Sequence, residues 1–291
     1  MRQIFLKGAM SLNKNNILKA AIFGLAVGDA LGVPYEFRER DSFTVTGMTS
    51  GGVHKQPKGT WSDDTGLTLA TCYSIGERGG VDLADMMRDF RAWLWHGAFT
   101  VDGRIFDVGN TCGQAINMGH GLGREDKQGN GSLMRILPLA FLPGISEETI
   151  ADVSALTHDS SVCKELCIIY VHIAQELIQG TDLKTAISRS ISPESNYRHL
   201  LDIENFPREK IGNTEHAPVA LTAALWCLSH TRSYKDCVLE AVALGGDTDT
   251  IAAIAGGLAG IMYGYHAIPK LWLMQLRGKN IIQGCLFPVP S

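Results

Sequence analysis

Apolar residues recur at spacings of three and four through most of the 291-residue chain. That rhythm gathers side chains on one face of an α-helix. It predicts helices over residues 15–31, 65–77, 82–96, 109–119, 132–141, 147–156, 161–179, 182–190, 217–230, 234–244 and 250–264. Period-two alternation, the mark of a half-buried strand, is nearly missing. Its best stretch is VTGMTSGGVH at 45–54, which glycines interrupt. Turn signals at Gly79-Gly80, Gly103, Gly129, Pro143-Gly144, Gly180, Pro193 and Pro207 separate the segments. The expected fold is all-α, with no repeat, low-complexity tract or linker to divide it. A short extension, residues 1–16, is expected to precede a single domain over 17–291.

Composition narrows the classes of function. The net charge is -4 and the pI about 6.1, so no basic excess points to nucleic acid. The run ILKAAIFGLAVGDALGVP at 17–34 contains Lys19 and Asp29, and reads as too interrupted to span a membrane. The opening MRQIFLKGAM lacks the apolar core and cleavage site of a signal peptide. Seven cysteines without CxxC spacing, set in apolar segments, read as reduced and buried thiols in a cytoplasmic protein.

Two stretches carry chemistry. GTWSDDTGLTLA at 59–70 and LGGDTDTIAAIAGGLAGIMYG at 244–264 each set two carboxylates and a hydroxyl where a helical pattern begins. Helix capping accounts for acidic and hydroxyl residues at such places. Brought together, however, the stretches would assemble four carboxylates, which repel unless cations neutralise them. Hard oxygen donors suit Mg²⁺, Mn²⁺ or Ca²⁺ rather than zinc, and the number of donors suits two ions. The residue types alone leave capping and metal binding both open. Two further carboxylates have equally bland readings: Glu36 as an exposed loop residue beside Arg38 and Arg40, and Asp107 as the cap of the helix at 109.

WSDDT at 61–65 and GGDTDTIAA at 245–253, together with VGDALGVPYEF at 27–37 and GNGSLMRILP at 129–138, resemble the ADP-ribosylglycohydrolases. The resemblance runs from about residue 17 to about 285. It implies a compact orthogonal helical bundle with a two-metal cleft, the cations being Mg²⁺ or Mn²⁺. By motif match the ligands are Ser62, Asp63, Asp64, Asp247, Asp249 and Thr250; Ser62 stands where many relatives have threonine. Asp107, in GRIFDVGNTCGQAI at 103–116, and Glu36 are the implied catalytic carboxylates. The implied substrate-binding residues are Gly109, Asn110, Asn130, Gly131, Ser132, Met134, Arg135 and His158. Of these, Asn130 to Ser132 match a loop for the ADP-ribose phosphates, and Arg135 either contacts a phosphate or supports that loop from beneath. The other eight histidines receive no role. GLGREDKQGNG at 121–131 lacks the aromatic residue that stacks adenine in some relatives.

The activity implied is removal of ADP-ribose from a modified protein side chain, with ADP-ribosyl-arginine favoured by the DVGNT form of the motif. An ADP-ribosylated protein would be the substrate and ADP-ribose the product, with neither membrane nor nucleic acid as partner. Two alternatives stand beside it. One is hydrolysis of another ADP-ribose linkage, to serine, a nucleic acid or a small metabolite. The other is a non-catalytic ADP-ribose-binding or immunity protein.

Overall fold

The computed structural model describes residues 13–123 and 128–290. Its α-helices, in chain order, are α1 (Lys14–Gly32), α2 (Asp63–Arg78), α3 (Leu83–His96), α4 (Asn110–Met118), α5 (Glu147–Ala155) and α6 (Ser161–Ile178). They continue with α7 (Leu183–Ser190), α8 (Ala217–His230), α9 (Tyr234–Ala243), α10 (Thr248–Tyr263), α11 (Lys270–Gln275) and α12 (Lys279–Cys285). Among the described residues there is no strand, only isolated bridges such as Gly51 with Gln56 and Gly129 with His216. The all-α expectation therefore holds. The expected extension lies outside the described residues except at its end, where Asn13 caps α1 by accepting from the Asn15 N–H at 3.0 Å.

Two local expectations need correction, and two helices add to the expected set. The helix expected over 132–141 is two 3-10 turns, Leu133–Arg135 and Leu137–Phe141. Pro138 lies inside the segment, has no N–H to donate and disfavours α geometry in its predecessor. The stretch 45–54 forms no strand; Gly51 and Gly52 adopt φ of +108° and +71° and turn the chain instead. Helices α11 and α12, at 6 and 7 residues, are too short for a helical period to declare itself in the sequence.

The core is organised around α1 and α10, which are buried along almost their whole lengths. They run antiparallel, with Gly24, Gly28 and Gly32 of α1 facing Gly256, Ala252 and Asp249 of α10. A Cβ at Gly24 would lie 2.4 Å from the Gly256 carbonyl oxygen, and one at Gly28 only 2.1 Å from that of Ala252. The two backbones are thus in direct contact, which only residues lacking a side chain permit. Tyr234 donates to the Gly24 carbonyl at 2.7 Å and Tyr170 to that of Ile254 at 3.0 Å, tying α9 and α6 to this pair.

Lys19 and Asp29 do not interrupt α1. Lys19 lies over the rings of Phe23 and Tyr265, and Asp29 is fully buried in hydrogen bonds. By length and composition the segment Lys14–Tyr35 could cross a membrane, but 89% of its most apolar window is buried inside the protein. All seven cysteines are buried and none forms a disulfide, as expected.

Gly28→Ala should force α1 and α10 apart, at a cost of about 2–3 kcal/mol. A lowered urea midpoint with helical content retained is the expected result. An unchanged midpoint would show that the helices separate freely.

Candidate active site and metal centre

The two acidic stretches meet at one place. Ser62 caps α2, its Oγ accepting from the Asp64 N–H at 3.3 Å. Asp63 and Asp64 occupy the first turn, two residues earlier than the periodicity suggested. Asp247 stands at the cap of α10 without a capping bond from its side chain. Its Oδ2 instead accepts from Asn130 Nδ2 at 2.6 Å. Capping therefore accounts for Ser62 and leaves the carboxylates unexplained. Thr250 Oγ1 and Ser62 Oγ both donate to Asp64 Oδ2, at 3.3 and 3.0 Å, so side chains of α2 and α10 touch across the centre.

Asp29 of α1, which is in neither acidic stretch, completes this arrangement. Its carboxylate accepts from the Ser62 N–H at 2.9 Å, the Thr65 N–H at 3.0 Å and Thr65 Oγ1 at 2.5 Å. It braces the start of α2 against α1. The signal was present in VGDALG: a lone carboxylate in an otherwise apolar helix needs buried donors.

Single oxygens of Asp29, Asp64 and Asp249 lie within 4.8 Å of one another, as do those of Glu36, Asp247 and Asp249. Asp64 Oδ1 and Asp249 Oδ2 are buried without a hydrogen-bond partner. Among the described residues no lysine or arginine forms an ion pair with these carboxylates; the one cationic partner is His54, beside Glu36. Burial pushes Asp63, Asp64 and Asp249 well above the usual carboxylate range, and neighbouring carboxylates push them further. Burial likewise raises Asp29 to about 6 and Glu36 to about 7. Orphaned oxygens, an all-oxygen donor set and missing counter-charge together fit hard divalent cations. The two carboxylate sets overlap at Asp249.

Above this floor lies a cavity of about 470 Å³. Glu36, Asp63, Asp107, Asp247 and Thr250 line it, with Gly109, Asn110, Asn130, Gly131, Met134 and His158. Glu36 is 4% exposed, not the surface residue of the bland reading. Asp107 caps nothing, since α4 begins at the cap Gly109 without a side-chain bond. Ser132 and Arg135, expected to touch substrate, are buried behind the wall. Ser132 accepts from Ser154 Oγ at 2.9 Å. Arg135 donates to the Val153 carbonyl at 3.1 Å and Thr157 Oγ1 at 2.9 Å, its guanidinium over the Phe90 ring. Of the two readings offered for Arg135, support from beneath matches this placement. Burial, and then the Arg135 charge, hold His158 down to about 3, so its imidazole is neutral.

Main-chain bonds fix the loops. The Asn130 N–H donates to the Glu215 carbonyl and the Asp247 N–H to that of Asn213, each at 2.9 Å. Gly246 has φ +69°, and a Cβ there would lie 2.0 Å from the Asn213 carbonyl oxygen. Its own N–H and C=O bind the Arg38 carbonyl and the Phe37 N–H, which ties the Glu36 segment to the second acidic loop.

Residues 10–287 match the family described as ADP-ribosylglycohydrolase. The chain belongs to the ADP-ribosylglycohydrolase family. Members are hydrolytic enzymes. It is 32% identical to ADP-ribosylarginine hydrolase Tri1 of Serratia proteamaculans, over 94% of this chain and 80% of that protein. It is 31% identical to ADP-ribosyl-[dinitrogen reductase] glycohydrolase of Rhodospirillum rubrum, over 89% and 90% of the two chains. A solved structure titled ADP-ribosylglycohydrolase-related protein complex superposes with a TM-score of 0.79 at 28% identity, covering 94% of this chain and 96% of that one.

Two further features at the site of this ADP-ribosylglycohydrolase carry no sequence motif. His54, left without a role, donates to or accepts from Glu36 Oε2 at 2.5 Å. Glu215 and His216, just before α8, line the cavity from an element with no motif of its own. The missing adenine aromatic falls in 121–131, of which residues 124–127 lie outside the described residues.

A carboxyl raised in the folded state holds its proton more tightly there than when unfolded. Its stabilising effect is complete below the unfolded pKa and is lost as pH rises through the folded one. For Asp29 that window runs from 3.8 to about 6, and for Glu36 from 4.5 to about 7. In EDTA the thermal midpoint should therefore fall between about pH 4 and pH 7. Added Mg²⁺ or Mn²⁺ should raise it more above this window than below it, because the ionised cluster binds cations. A midpoint that rises with pH in EDTA would contradict the cluster's electrostatics.

Proposed function

We propose that this protein hydrolyses the glycosidic bond joining ADP-ribose to the arginine of a modified protein, releasing ADP-ribose. The observation that carries this reading is the convergence of α1, α2 and α10. It sets a floor of buried carboxylates with orphaned oxygens beneath a cavity of about 470 Å³, with Glu36 and Asp107 on its wall. A cavity of this size is in the range that takes a nucleotide-sized ligand. The arginine linkage is supported by relatives from Serratia proteamaculans and Pseudomonas putida that carry the name ADP-ribosylarginine hydrolase.

Ser62, Asp63, Asp64, Asp247, Asp249 and Thr250 would hold two divalent cations, Mg²⁺ or Mn²⁺. When bound, these supply the counter-charge of the cluster and Lewis acidity toward a water or sugar hydroxyl. Glu36, brought to about 7 by burial, is suited to move a proton near neutral pH. Asp107 faces the same space and would stabilise positive charge developing at the anomeric carbon. The start of α4, at Gly109 and Asn110, and the loop at Gly131 would turn backbone N–H groups toward the diphosphate, while the Asn130 N–H stays on the Glu215 carbonyl and holds that loop in place. At Gly131 a Cβ would meet Cys112 Sγ at 2.4 Å, so this loop has no room for a side chain. Met134 and neutral His158 would line the nucleotide's side of the cavity, with Ser132 and Arg135 holding the loop from behind. Cysteines without disulfides fit a reducing, cytoplasmic setting.

The direct test is release of ADP-ribose from an arginine-ADP-ribosylated protein in Mg²⁺, in Mn²⁺ and in EDTA. Release with either cation and none in EDTA is expected. No release, with cation and ADP-ribose still bound by calorimetry, would reject the arginine linkage. Asp249→Ala should abolish the cation-dependent release while the helical circular dichroism is kept; turnover at the wild-type rate would reject the cation site.

A further inference from the structure

The hairpin at 51–56 sits outside every motif that marks the family here, yet it is built with care. The Gly51 N–H donates to the Gln56 carbonyl at 2.9 Å, and the Gln56 N–H returns a bond to that of Gly51 at 3.2 Å. Gln56 Nε2 donates to the carbonyl of His54 itself at 3.0 Å. Gly52, with φ +71°, lies so close to Pro34 that a Cβ would stand 2.7 Å from the Pro34 carbonyl oxygen. The hairpin is therefore seated on the 3-10 turn Val33–Tyr35 that delivers Glu36.

Its tip carries His54, whose ring meets two other segments. Nε2 lies 2.5 Å from Glu36 Oε2 and 3.7 Å from Asp107 Oδ1. Phe106 packs 5.2 Å from the ring centroid and Phe37 6.4 Å. These phenylalanines adjoin the two carboxylates in sequence. Phe37 and Asp107 both hold left-handed backbone, with φ of +62° and +56°. Such conformations cost about 1 kcal/mol each and persist where surrounding contacts over-determine them. Without an imidazole between them, Glu36 and Asp107 would face each other and Asp247 as like charges.

We propose that His54 is the positioning residue of this site: it locks the Glu36 side chain and draws the Asp107 loop over the cavity, so that the two carboxylates keep one working geometry. The reaction it serves is the one proposed above; the clamp itself stands on the geometry. Truncation to His54→Ala should leave substrate binding largely intact and loosen the reacting geometry. A misplacement of this kind lowers kcat by about 10- to 100-fold. His54→Gln keeps a side-chain N–H for Glu36 and should recover most of that loss.

The experiment measures kcat and KM for ADP-ribosyl-arginine protein with wild type, His54→Ala and His54→Gln, each checked for an unchanged melting midpoint. The expected result is a kcat loss in His54→Ala with little change in KM, and rescue in His54→Gln. Wild-type kcat in His54→Ala, or equal loss in both variants, would overturn the proposal. A second arm labels the histidines with ¹⁵N and compares wild type with Glu36→Gln. The His54 ring resonances should move most; if they stay in place, no clamp exists, whatever the activity. Absence of hydrolysis by the wild type would reject the assigned reaction alone, because the resonance arm reads the clamp without turnover.

Discussion

Everything at the site depends on the approach of two helix backbones. Gly24, Gly28 and Gly32 let α1 lie directly on α10, with no side chain between them. Gly32 ends against Asp249 and Thr248, and Thr248 Oγ1 donates to the Gly32 carbonyl at 2.8 Å. That contact brings Asp29, near the end of α1, to the mouth of α10, where Asp249 begins its first turn. Interiors are packed at crystal-like density, so a displacement of one helix moves whatever is fixed to it. A binding floor made from helix ends is accurate only because the helices beneath it cannot slide.

The cost of this arrangement is electrostatic. Asp29, Asp63, Asp64, Asp247 and Asp249 are buried together. Charged groups removed from water need partners, and carboxylates without partners take up protons instead. The protein meets part of the requirement itself. Asp29 is saturated by donors from α2, and Asp247 takes a bond from Asn130. Asp64 and Asp249 keep an unpaired oxygen each. The incomplete satisfaction sits where a divalent cation would remove it, and nowhere else in the acidic stretches.

The wall above the floor is assembled from segments with little in common. The segment at Glu36 and Phe37, the loop around Asp107, the turn at 129–135 and the residues before α8 are joined by main-chain bonds and single side chains. This division of labour is ordinary for enzymes: a rigid helical base holds charge, and loops shape access to it. Arg135 shows why position matters more than residue type. A guanidinium next to a glycine-rich loop suggests an anion contact, yet its bonds to Val153 and Thr157 place it behind the loop.

The helical class, the major helices and the two acidic loops could be read from the sequence, because spacing and local chemistry are properties of neighbouring residues. Ser62, Asp63, Asp64, Asp247, Asp249 and Thr250 declared themselves as two matched sets at helix starts. Tertiary structure alone decided the rest. That the sets face each other follows from backbone contact between helices more than 200 residues apart in the chain. That capping engages Ser62 but not Asp247 depends on Asn130, which arrives from another loop. A lone carboxylate in an apolar run marked Asp29 as needing buried donors without saying which, and a single imidazole such as His54 has neither period nor spacing. Their importance comes from what surrounds them, and surroundings exist only once the chain has folded.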